Sequence, residues 1–181
     1  MRGGDPSEDR DAILRVERDI RDHFRDEPWF DFRAHQAVVN IYRAAITVRN
    51  RLEQELLTRW RLTWGGFTCL WILWIWGEME SRRLAHEAGV SKGTLTGLVK
   101  TLEKRDLVSR RRLSGDRRRV AVSLTPDGLA VVEELYPHFH TCERTLTTGL
   151  DTDEQDQLSR LLRSIMRRAA EPGPLGAHTP D

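Results

Sequence analysis

The sequence predicts a mainly α-helical fold with one small β-hairpin, and three observations carry that expectation. Apolar residues recur at three- and four-residue spacing along most of the chain, the period of an amphipathic helix. Two short helical segments are separated by Gly89-Val90. After Leu107 the pattern switches to alternation around Ser114-Gly115-Asp116, which reads as two strands and a turn.

Residues 1–10 are polar and contain glycine and proline, and residues 171–181 are rich in helix breakers, so both ends are expected to be disordered. Ile13, Val16, Ile20 and Phe24 mark a short helix over 11–24, and the aromatic segment Pro28-Trp29-Phe30-Asp31-Phe32 follows as a packed connector. Val38, Ile41, Tyr42, Ala45, Val48, Leu52 and Leu56 form the stripe of one long helix over 34–60. Residues 64–76 are apolar on almost every face, which places that helix at the centre of the fold.

Short helices over 81–88 and 91–104 come next. Gly89 suits the left-handed residue that ends the first, and the Ser91 hydroxyl can cap the second. In the second helix Leu95, Leu98, Val99 and Leu102 share the side that faces the core. Beyond the hairpin, Thr125-Pro126 supplies a cap and a first-position proline to a helix marked by Leu129, Val132, Leu135, Tyr136 and Phe139, which Pro137 is expected to kink. Asp151 with Glu154 resembles a capping box that opens a final helix, with Leu158, Leu161, Leu162 and Ile165 on one face. The expected organisation is N-terminal helices over 11–60, a helix-turn-helix and hairpin lobe over 61–125, and C-terminal helices over 126–170.

At 181 residues, with 39% apolar and 31% charged residues, the chain fits one soluble globular domain better than two. Its longest apolar run, residues 69–76, falls far short of the roughly 20 residues that cross a membrane. The start lacks the apolar stretch of a signal peptide, so the expected location is the cytoplasm. The net charge of +1 hides a strong asymmetry. Residues 81–119 hold 12 Lys or Arg against 4 Asp or Glu, net +8, while the remainder holds 17 against 24, net −7. Such a block is an electrostatic footprint for a polyanion.

The run Val90-Ser91-Lys92-Gly93-Thr94-Leu95-Thr96, the exit Leu102-Glu103-Lys104-Arg105-Asp106-Leu107-Val108 and the segment Asp116-Arg117-Arg118 ending in Leu124-Thr125-Pro126 closely resemble the MarR family of winged helix-turn-helix regulators. The resemblance spans about residues 62–128. It implies a pyramid-shaped homodimer in which the first and last helices interdigitate, with one DNA-binding lobe per subunit. It also implies a transcription regulator, most often a repressor, that binds a pseudo-palindromic operator and is released by a small molecule. Where the family usually carries a basic residue after the recognition-helix threonine, this chain has Gly97. That removes one expected contact and lowers helix propensity by roughly 1 kcal/mol against alanine.

The expected partner is double-stranded DNA. Ser91, Lys92, Thr94, Thr96 and Lys100 are candidates on the recognition helix, where short polar side chains let the backbone approach base edges. Arg110, Arg112, Arg117 and Arg118 are candidates on the wing, because the planar, weakly hydrated guanidinium is drawn to a narrow minor groove. The resemblance makes Asp116 the partner that orients Arg118. Arg82 and Arg83 could reach phosphate from the preceding helix or lie on a solvated face. A winged-helix module that docks protein or RNA without reading an operator is the alternative function.

Trp64, Phe67, Trp71 and Trp74 read as core or as one wall of a pocket for a small planar aromatic ligand, with His35 or Arg43 supplying polarity. His138, His140 and Cys142 sit at i and i+2 spacings that face different sides of a helix, so neither a metal nor a cofactor is expected. With no Gly-rich phosphate loop, nucleophile elbow or HExxH pair, an enzyme is not expected.

Overall fold

The computed structural model describes residues 14–113 and 119–173. The chain divides into two compact units, residues 1–50 and 51–181.

In the first unit, helix α1 (Arg15–His23) is held by a carboxylate as much as by its apolar residues. Val16, Ile20 and Phe24 are only half-buried, while Glu17 is 5% exposed. Glu17 accepts from the Leu14 amide at 2.7 Å and from Asn40 Nδ2 at 2.8 Å, on helix α2 (Phe32–Glu55). The Asn40 hydrogen bond, then the Leu14 amide, holds its carboxyl below the usual glutamate range. Ile13, expected on the apolar face, lies outside the described residues. In the connector Phe24 stacks on Phe30 at 4.4 Å and Trp29 meets Phe24 edge-on at 5.6 Å, but Trp29 stays 67% exposed, so the segment is only partly packed.

The long helix expected over 34–60 instead stops at Glu55, and a 3-10 turn covers Leu57–Trp60. The tighter turn lets the adjacent Leu56 and Leu57 both be buried, at 3% and 0% exposure. Arg61 then adopts a left-handed conformation, φ 54°, and the chain enters helix α3 (Trp64–Trp76) through a Thr63 cap, whose Oγ1 accepts from the Gly66 amide at 3.2 Å.

In the second unit α3 lies at the centre, packed by α4 (Ser81–Glu87), α5 (Lys92–Glu103) and α6 (Pro126–Leu146). Strands β2 (Val108–Arg112) and β3 (Val120–Leu124) form the expected antiparallel hairpin, with Arg110 opposite Val122. A strand the sequence does not announce, β1 (Met79–Glu80), adds to β3 and gives a sheet of order β1-β3-β2. Two residues are too few to show alternation. Leu70, Ile72, Leu84, Leu95, Val108, Val122, Val132 and Leu135 form the buried centre.

The caps are where the sequence places them. Thr125 Oγ1 accepts from the Gly128 amide at 3.0 Å, and Asp151 and Glu154 exchange bonds of 2.9 and 2.8 Å at the start of helix α7 (Thr152–Ala170). Pro137 lies inside α6 without ending it. α7 has no buried residue, and Leu158, Leu161, Ile165 and Met166 are 41 to 61% exposed along one side. No helix among the described residues is long and apolar enough to cross a membrane.

Candidate nucleic-acid interface

The interface is built on the turn between α4 and α5. Gly89 takes φ +64°, which a side chain would strain, and so ends α4 sharply. Ser91 Oγ then accepts from the Thr94 amide at 3.1 Å, the expected cap, and lies 2.8 Å from Thr94 Oγ1. Leu95, Val99 and Leu102 are buried and Leu98 is half-buried, so Lys92, Thr94, Thr96 and Lys100 are turned out to solvent.

Lys92 and Thr96 line an open cleft of about 680 Å³ together with Arg82 from α4 and Arg110 and Arg119 from the hairpin. Thr96 Oγ1 donates to the Lys92 carbonyl at 2.8 Å. Its hydrogen is therefore committed, and what it offers a base is an acceptor oxygen and a methyl group. Ser91, Thr94, Lys100, Arg83 and Arg112 are exposed outside that cleft; Thr94 lines a neighbouring groove, and Arg83 sits 3.9 Å from Glu87. Asp116, Arg117 and Arg118 lie outside the described residues.

The hairpin arginines are not all free charges, which charge counting along the chain misses. Arg110 makes a two-pronged ion pair with Glu103 of α5, Nε to Oε1 at 3.0 Å and Nη2 to Oε2. Arg111 reaches Glu78 at 2.6 Å and Arg119 reaches Glu80 at 2.9 Å. The Arg110 hydrogen bond holds the Glu103 carboxyl below its ordinary range, and Glu103 raises Arg110 in return. These pairs are half-exposed, so each adds little stability. They do fasten the hairpin base to α5 and β1. Glu78 and Glu80 stand just before the basic block and Glu103 within it; only the folded register brings the three carboxylates to the strands.

His35 and Arg43 belong to the first unit, where His35 tilts against Phe30 at 5.2 Å and its enclosed Nε2 has no hydrogen-bond partner. Trp64, Phe67, Trp71 and Trp74 belong to the second. Phe67 is 4% exposed and packs 4.5 Å from Phe139, Trp64 is 6.1 Å from the same ring, and Trp74 meets Tyr136 at 5.1 Å. These three bond α3 to α6 as packing aromatics. Trp71 pairs with Trp76 at 6.0 Å. Burial pushes the Cys69 thiol up to about 11. His140 pairs with Glu143 and His138 lies against Trp60, and no group of His, Cys, Asp and Glu that could hold a metal occurs among the described residues.

Residues 62–120 match the model of the MarR family. The chain is 41% identical over 126 residues to YwaE of Bacillus subtilis, named an HTH-type transcriptional regulator, covering 70% of this chain and 74% of that one. It is 32% identical over 91 residues to the transcriptional repressor MprA of Escherichia coli, covering 50% of this chain and 52% of MprA. Its fold matches that of Bordetella bronchiseptica BpsR, whose DNA binding is regulated by 6-hydroxynicotinic acid, with TM-score 0.67 at 27% identity over 72% of this chain and 98% of BpsR. With its capped α5, its arginine-bearing hairpin and these relatives, the chain belongs to the MarR family of DNA-binding transcription regulators.

Proposed function

We propose that the protein is a homodimeric repressor in the cytoplasm that holds a pseudo-palindromic operator and releases it when a small planar aromatic acid binds. The observation that carries this reading is the cleft in which Lys92 and Thr96 of α5 converge with Arg82 and Arg110. α5 enters the major groove, where Ser91, Lys92, Thr94 and Lys100 hold backbone and base edges, and Thr96 discriminates bases through its acceptor oxygen and methyl. Arg112 and the wing residues Asp116, Arg117 and Arg118 serve the minor groove and its phosphates, with Arg82 and Arg83 on the flanking phosphates. The uncovered apolar side of α7 supports the dimer. Similarity to MprA supports repression, and similarity to BpsR supports an aromatic acid as the releasing ligand.

The test uses a duplex enriched by the protein from a random pool. 6-Hydroxynicotinic acid is expected to quench tryptophan fluorescence and weaken binding of that duplex over the same concentration range, since both report one differential affinity. Quenching without a change in DNA affinity would contradict ligand release.

A further inference from the structure

Gly97 stands in the interior of α5, where glycine destabilises a helix relative to alanine. Three other glycines have a local reason in the fold. A Cβ on Gly65 would come within 3.1 Å of Leu98, and one on Gly128 within 1.9 Å of the Leu107 carbonyl oxygen. Gly89 supplies a left-handed residue. Gly97 does none of this: its φ is not positive, and a Cβ built on it meets nothing within 4 Å. The fold gains nothing from the missing side chain.

Its position says what does. The helical period puts residue 97 on the side of α5 opposite the buried Leu95, Val99 and Leu102, with Lys100 and Thr101 beside it. Its carbonyl is already satisfied by Thr101 Oγ1 at 3.0 Å. Gly97 also borders a groove of about 330 Å³ between α5 and the start of α3, rimmed by Arg61 and Arg105. Arg105 is spent on the Arg61 and Trp60 carbonyls at 2.7 and 2.8 Å, which fixes that rim. A bare helix surface beside an electropositive groove matches a helix laid close against stacked bases, with a phosphate strand alongside.

We propose that Gly97 is a specificity-determining residue that sets how deeply α5 enters the major groove. This rests on α5 being the DNA-reading helix. Stability is given up at this position so that the helix backbone can approach base edges that any side chain would hold away.

The experiment compares the full-length wild type with Gly97→Ala and Gly97→Leu on the duplex enriched by the wild type and on a scrambled duplex, alongside thermal melting. Both variants are expected to melt above the wild type. Operator affinity is expected to fall by about tenfold or more for alanine and further for leucine, with a smaller loss on the scrambled duplex. An alanine variant that binds the operator as tightly as the wild type overturns the proposal, as does one that loses the same factor on both duplexes. Melting below the wild type overturns it too, because the fold would then need the glycine. A wild type that enriches no duplex removes the reading of α5 itself, and this one with it.

Discussion

Gly128→Ala is expected to lower stability by about 3 kcal/mol or more and to leave much of the chain unfolded under ordinary conditions. The added Cβ would sit 1.9 Å from the Leu107 carbonyl oxygen and 2.8 Å from its carbonyl carbon, both backbone atoms. They cannot swing aside. The Leu107 carbonyl accepts from the Thr125 amide at 3.2 Å, and the Gly128 amide is tied to Thr125 Oγ1, so α6 starts in close contact with the chain entering β2. Making room moves α6, and with it the buried Val132, Leu135 and Phe139. Denaturant midpoints check this against Gly65→Ala, whose Cβ meets only the movable end of Leu98 at 3.1 Å and should cost far less.

If the proposed homodimer packs through α7, Leu161→Glu is expected to split it and weaken operator binding by about two orders of magnitude. Leu161 is 52% exposed, between Leu158 at 46% and Ile165 at 41%, on a helix of 19 residues with nothing buried in its own chain. Helical stability in proteins comes mostly from packing an amphipathic face, and this one buries no residue in its own chain. In the proposed homodimer a second copy provides the cover, and a carboxylate at the centre of the stripe would be buried without a partner. Once the dimer is lost, the second half-site no longer binds as an intramolecular event. Sedimentation should give the 21.0 kDa monomer for the variant and a larger species for the wild type. An unchanged mass would place the dimer contact elsewhere.

What the sequence made legible is what depends on neighbours along the chain. Ser91, Thr125 and the Asp151–Glu154 pair cap their helices through groups three residues away, and Gly89 ends α4 by its own backbone preference. The buried face of α5 follows from a period of 3.6. What stayed hidden depends on distant segments. Glu17 reads as a polar residue of an amphipathic helix until Asn40 is brought to it from 23 residues away. The pairs of Arg111 and Arg119 with Glu78 and Glu80 span 33 and 39 residues and follow from the pairing of β1 with β3, a strand too short to announce itself. The tryptophan-rich segment could be core or pocket on composition alone. Phe139 and Tyr136, supplied by α6, are what pack against Phe67, Trp64 and Trp74.

Whether two copies of α5 read DNA together is tested most directly by hydroxyl-radical footprinting of the wild-type protein on the duplex it enriches from a random pool. The expected result is two protected patches related by a twofold axis, centred about one helical turn or roughly 34–36 Å apart, within a pseudo-palindromic sequence. Protection of one asymmetric half-site, or uniform protection with no enriched sequence, would contradict it.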